Sequence, residues 1–177
     1  ELIYQGCYNN KIIALTNNPN NIEIPYRGGG LNEKKTNIKL FSKNLYTDNY
    51  DNYYKYDFEN LIFTIGAKPF KEDYSDIITE KILSKKYKKL KKIVLISANG
   101  VGDSLKDSNI GIKIMNNWYL KDVYKSKNKQ EELIKNYSKE NKNIEIEILQ
   151  PNVLSFGKNL YNGKSRESLA NEILDNL

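Results

Sequence analysis

The sequence predicts an α/β fold in which a parallel sheet is wound with helices on both faces. Short apolar runs rich in β-branched residues recur along the chain, at Lys11–Thr16, Asn37–Phe41, Glu59–Ala67, Ile93–Ile96 and Asn143–Leu149, and they end on small or turn-forming residues. In the second half of the chain, the connections between these runs are long enough for a helix and carry amphipathic patterns at Tyr74–Lys89 and Asp122–Lys139. Ile93-Val94-Leu95-Ile96 is apolar at both odd and even positions, as a strand buried on both faces must be. Strands alternating with helical crossovers dictate a parallel sheet. At 177 residues the whole chain, 1–177, reads as one domain.

Taken in order, Glu1–Tyr8 reads as the last turns of a helix broken at Gly6, and Ile12–Thr16 as a short buried strand closed by the turn Asn17-Asn18-Pro19-Asn20. Asn21–Thr36, with Pro25 and Gly28-Gly29-Gly30, has no periodicity and reads as loop. Asn37–Phe41 is a second strand, and the Tyr, Asp and Asn cluster from Tyr46 to Asp57 a weak helix or irregular crossover. Glu59–Ala67 is the third strand and ends on Gly66 and Ala67. In Tyr74–Lys89 the residues Ile77, Ile78, Ile82 and Leu83 share one helix face. The strand Ile93–Ile96 opens into the polar, glycine-bearing loop Ser97–Ser104. Asp122–Lys139 is the next helix. In Asn143–Leu149 apolar and acidic residues alternate with period two, the pattern of a sheet edge or a half-covered strand. Ser165–Leu177 is an amphipathic helix, with Leu169, Ala170, Ile173, Leu174 and Leu177 in one stripe.

Composition narrows the chemistry. The chain has no histidine, which excludes a His-based triad and any His metal ligand, and no metal is expected. Cys7 is the single cysteine, so no intramolecular disulfide forms; a reducing compartment, with the cytoplasm as default, is the expectation. No apolar run approaches about 18 residues, the length a spanning helix needs, so no membrane span is expected. The net charge of +6, with a pI near 9.1 and a mean hydropathy of −0.69, raises nucleic acid as a partner. The dense run Lys85–Lys92 reads instead as the solvated C-terminal end of a helix, and no nucleic-acid-binding motif accompanies it.

In an open α/β sheet, ligands bind outside the carboxyl ends of the strands. The loop after Ile93–Ile96 is therefore the first place to look for a site. Ser97 has two readings there, a hydroxyl that binds substrate or one that caps a turn. Lys127 on the following helix likewise reads as a ligand contact or as a surface lysine.

Several segments together resemble the atypical short-chain dehydrogenase/reductases, the small NAD(P)H-binding Rossmann-like group that includes NmrA-like and biliverdin-reductase-B-like proteins. They are Ile12–Pro19 as the second strand and its turn, Leu61–Ala67 as the fourth, Ile93–Ser104 as the fifth, and Lys127 with Glu131 and Leu133 on the next helix. Leu149-Gln150-Pro151 closes the sixth strand, and Ser165-Arg166 opens a terminal helix through Ala170. Ser165 is expected to cap that helix. The resemblance implies NAD or NADP as cofactor, contacted by Thr16, Asn17, Gly66, Ala67, Ser97, Lys127, Pro151 and Asn152, with Ser97 and Lys127 in catalytic positions.

Two departures shape the expectation. The group's glycine-rich phosphate turn has no counterpart in place and would precede Glu1, so the chain is expected to be incomplete at its N-terminus by roughly 20 residues, the size of a strand-turn-helix opening. A vacancy beside the Ile12 strand would follow. The Tyr-x-x-x-Lys pair is also missing: Tyr124 is followed four residues later by Asn128, and Val123 stands four before Lys127. The literal match Tyr87 to Lys91 precedes the fifth strand.

The expected function is an NAD(P)H-dependent oxidoreductase acting on a small carbonyl or similar acceptor. The alternative is an inactive NAD(P)-binding redox sensor, or a subunit of a larger assembly with protein partners. Intact small residues at the strand ends favour the first, and the missing tyrosine the second.

Overall fold

The computed structural model describes residues 12–16, 38–42, 57–66, 73–108, 110–118, 120–152, 154–155 and 164–177. The expected helix at Glu1–Tyr8, the loop Asn21–Thr36 and nearly all of the Tyr46–Asp57 segment lie outside them. The chain divides into two compact units, residues 1–48 with 155–177, and residues 49–154.

In the first unit, β1 (Ile12–Thr16) pairs in parallel with β2 (Ile38–Ser42), with Ile12 opposite Ile38 and Thr16 opposite Ser42. Among the described residues, β2 is the strand that pairs with β1. The short strands β6 (Leu154–Ser155) and β7 (Lys164–Ser165) pair with each other. The terminal helix follows at Arg166–Asp175, and Ser165 caps it as its sequence predicts: the Ser165 hydroxyl accepts the Ser168 amide at 3.0 Å. Leu169, Ala170 and Ile173 are its buried stripe.

The second unit is the larger. It runs β3 (Asn60–Phe63), α1 (Ser75–Leu83), β4 (Lys92–Ile96), α2 (Ser104–Asp107), α3 (Ile110–Trp118), α4 (Lys121–Glu140) and β5 (Glu145–Leu149). The three strands form a parallel sheet in the order β3-β4-β5, so the unit is the α/β, Rossmann-like arrangement that the sequence predicts. The helices that connect these strands, α1 and α4, pack side by side.

The register separates the two faces of this sheet. Leu61, Ile93 and Ile146 stand in one cross-strand row, and Phe63, Leu95 and Ile148 in another, which makes one face wholly apolar. The opposite face mixes Ile62, Val94, Ile96 and Leu149 with Asn60, Lys92, Glu145 and Glu147. Lys92 is buried there, and its ammonium lies 2.9 Å from Glu147 and 3.3 Å from Glu145, so the alternation in β5 supplies counter-charges for a lysine on its neighbour. Ile93, Val94 and Leu95 are completely buried, because β4 is hydrogen-bonded on both edges and covered on both faces. Phe63, Ile78, Ile82, Leu90, Val101, Ile134 and Ile144 complete the core.

Three expectations are corrected. The helix at Tyr74–Lys89 ends at Leu83, because side chains take its last carbonyls: Ser84 Oγ donates to Lys81 O at 2.8 Å and Tyr87 Oη donates to Ile82 O at 2.7 Å. The Lys85–Lys92 run is therefore a turn leading into β4 rather than a helix end. Lys89 pairs with Asp57 at 2.9 Å, Lys91 with Glu59 at 2.7 Å, and Lys92 with β5, so carboxylates take up charge along the run. The third strand stops at Phe63 rather than Ala67. Helices α2 and α3 have no counterpart in the sequence reading: α2 is a single turn of four residues, and in α3 Gly111, Asn116 and Asn117 lower helix propensity. Among the described residues no helix is long and apolar enough to cross a membrane.

The central strand carries the largest packing term. Leu95→Ala, at a fully buried position, is expected to cost about 2 to 5 kcal/mol in chemical denaturation, and Ile148→Ala on β5, which is not fully buried, less.

Candidate functional site

The carboxyl ends of β3, β4 and β5 lie in one row, and the loops that leave them are tied to each other and to α4. From β4, the Ser97 amide donates to Leu149 O at 2.8 Å and the Asn99 amide to Pro151 O at 3.2 Å. The Asn99 side-chain amide donates to Asn152 Oδ1. The β4 and β5 loops are thus joined by main chain and side chain alike.

Beneath them α4 presents Tyr124, Asn128 and Glu131, spaced four and three residues apart and therefore on one helix face. Tyr124 Oη donates to Asn99 O at 3.0 Å, Asn128 Oδ1 accepts the Gly102 amide, and Glu131 Oε1 accepts both Ser97 Oγ at 2.6 Å and Gln150 Nε2 at 2.8 Å. Gln150 also donates to Val101 O at 2.9 Å, closing the network. Glu131 is 2% exposed, with Lys135 Nζ 3.8 Å from its other oxygen. Such a carboxylate stays buried only because both oxygens have partners. Gly102 has φ +56°, and a Cβ there would stand 2.5 Å from Glu131 Oε2. The glycine therefore meets two requirements, a left-handed backbone and close approach to the carboxylate.

Three residues past the end of β3, Gly66 is exposed, and a Cβ built on it would meet nothing within 4 Å among the described residues. Beside it, Lys127 Nζ donates to Ile65 O and, at 3.0 Å, to Gln130 Oε1. Lys127 is 5% exposed, which removes the reading of it as a surface lysine. Burial pushes its amine below the ordinary lysine value, and the charges of Asp73 and Glu131 oppose that shift.

Five of the eight residues singled out from sequence fall in this unit. Gly66 with Lys127 lies at the end of β3, and Ser97, Pro151 and Asn152 lie at the ends of β4 and β5. Thr16 closes β1 in the other unit, and Asn17 and Ala67 lie outside the described residues. Ser97 is buried, and its one proton is directed at Glu131. Tyr124 likewise commits its phenol proton to the Asn99 carbonyl, and burial raises its pKa. Tyr124, Asn128, Gln130 and Gln150 escaped the sequence reading as site residues. The signal for the first three was present as a 124, 128, 131 face and a 127, 130 pair on one helix.

The donor set of Lys127 suits a ribose hydroxyl or a phosphate oxygen, groups that a dinucleotide carries. Gly66, Lys127, Ser97, Pro151 and Asn152 would hold it. Among the described residues there is no glycine-rich turn to receive its pyrophosphate.

Gly102→Ala is expected to destabilise the protein by about 1 to 2 kcal/mol, the cost of a left-handed backbone on an L-residue, read from its melting transition. It also crowds Glu131, so amide exchange across 97–104 should accelerate with it.

No family model matches the chain, and no curated protein does. Among solved structures, ChuY, described as an anaerobillin reductase from Escherichia coli O157:H7, aligns with 17% identity and a TM-score of 0.48, over 66% of this chain and 55% of that one. The chain thus spans little more than half the length of that protein.

Proposed function

We propose that the chain is an NAD(P)H-dependent oxidoreductase of the atypical short-chain dehydrogenase/reductase type, acting on a small carbonyl or similar acceptor. The observation that carries this reading is the convergence of Gly66, Ser97, Lys127, Pro151 and Asn152 at the carboxyl ends of three adjacent parallel strands. When bound, the nicotinamide supplies the hydride, and the chain's residues bind and orient. Lys127 offers a positive charge where a ribose hydroxyl or phosphate oxygen would lie, and Gly66 lets the ligand approach the backbone. Pro151 and Asn152 form the rim.

A specific observation favours the second reading, an NAD(P)-binding sensor or assembly subunit without turnover. Both hydroxyl protons near the β4 loop are already given away, that of Ser97 to Glu131 and that of Tyr124 to Asn99. A general acid must have its proton within reach of the reacting oxygen. Under the oxidoreductase reading the proton therefore comes from a group other than these two hydroxyls.

Titration with NADH and NADPH, followed by the nicotinamide fluorescence, tests both readings. Binding of either, with oxidation by a panel of carbonyl compounds, is the expected outcome, and Lys127→Met should weaken binding about tenfold, or 1.4 kcal/mol. Binding without oxidation favours the sensor reading. If neither nucleotide binds, both fail.

A further inference from the structure

Thr79, Gln130 and Lys127 form a continuous line of side chains from the packed seam between α1 and α4 to the carboxyl end of β3. Thr79 and Gln130 are completely buried. The direction of each hydrogen bond follows from chemistry. The Lys127 ammonium is a donor only, so the Gln130 group 3.0 Å away must be its amide oxygen. The Gln130 nitrogen is then turned to Thr79 Oγ1, which accepts at 2.8 Å. One residue back, Ser126 and Ser75 meet at 3.2 Å, and Ser126 Oγ donates to Asp76 at 2.8 Å, so the seam has fixed partners along its length.

Of the three ammonium hydrogens on Lys127, Ile65 O and Gln130 Oε1 take two, and the third has no described partner. Both acceptors are neutral. The nearby Asp73 carboxylate makes its own bonds through Oδ1, to the Ser75 amide at 2.7 Å and to the Ser75 hydroxyl, while its Oδ2 is buried without a hydrogen-bond partner.

We propose that Gln130, held by Thr79, is a positioning residue for Lys127: it fixes the ammonium beside the Ile65 carbonyl at the carboxyl end of β3 without neutralising it, so that a hydroxyl- or phosphate-bearing ligand meets a directed charge. A glutamate at position 130 would orient the ammonium equally well but would cancel its charge. An apolar residue would keep the charge and lose the direction. The choice of an amide, on a helix face already crowded with acceptors, is what keeps both. This inference rests on the reading of the crevice as a dinucleotide site and adds the device that tunes it.

The test has a readout that needs no cofactor. Competitive labelling with trace acetic anhydride between pH 6 and 11, roughly spanning the lysine range, followed by peptide mass spectrometry, gives the titration of Lys127 against exposed Lys125 in the same chain. Gln130→Glu is expected to raise the Lys127 midpoint and Gln130→Met to lower it, each by about one unit, a tenfold change in the neutral amine fraction at a given pH. Thr79→Val, which removes only the anchor of Gln130, should move it in the same direction as Gln130→Met and by less, and it carries the test if the Glu variant does not fold. NADH and NADPH should bind both Gln130 variants about tenfold more weakly. Opposite shifts distinguish positioning from a structural role, since loosened packing would move both variants the same way. A Lys127 titration that is unchanged, or that shifts in one direction in both, overturns the proposal. If the wild-type protein binds neither nucleotide while the opposite shifts appear, the dinucleotide reading fails and the control of Lys127 by Gln130 stands.

Discussion

The rest of the larger unit depends on β4 being hydrogen-bonded along both edges. Pairing with β3 and β5 in parallel leaves Ile93, Val94 and Leu95 no route to water, and it sets three strand ends side by side. A parallel strand in that position needs apolar residues on both faces, which is why the run is continuous rather than alternating. The polar loop from Ser97 onward can then exist only at the sheet's edge, where its backbone groups find partners on neighbouring loops and on α4. The location of the site thus follows from the location of the core.

The packing between α1 and α4 is unusual in its chemistry. Ser75, Thr79, Ser126, Lys127 and Gln130 are all buried, so much of this helix contact is made by hydrogen bonds rather than by interdigitated aliphatic groups. A neutral hydrogen bond of this kind contributes only about 0.5 to 1.5 kcal/mol net, but each partner left unpaired would cost about 1 to 3 kcal/mol. The seam therefore contributes more to uniqueness than to stability. A slip of one helix along the other by a turn would orphan several groups at once, and the ammonium of Lys127 would no longer reach Ile65 O.

Proton direction is what separates the two functional readings. A hydroxyl has one proton, and at both candidate hydroxyls the protein already uses it: Ser97 toward a buried carboxylate, Tyr124 toward a loop carbonyl. The same bonds that make the β4 loop rigid remove it as a source of acid. Lys127 differs, because its carbonyl partners leave its charge intact.

Much of the architecture was legible in order and period. Ile93–Ile96, the alternation in β5 and the Ser165 cap each follow from local rules of burial and capping, and each is found; of the predicted terminal stripe Leu169, Ala170 and Ile173 are buried, while Leu177 lies past the helix end and is exposed. The helix after β3 was legible in its start and not in its end, since Ser84 and Tyr87 stop it through contacts that hydrophobic spacing does not register. Helix α3 was hidden by its glycine and asparagines, and α2 by being a single turn. The sequence by itself determined which strand would be central and which loop would emerge from it, because two-sided hydrophobicity and small residues at a strand end are local properties of the chain. Only the tertiary structure decided that Lys127 is buried, that Ser97 gives its proton to Glu131, and that Gln130 lies between Thr79 and Lys127. Those facts depend on which face of α4 meets α1 and the β4 loop, and the amphipathic pattern of that helix marks its apolar residues, not the polar ones it buries beside them.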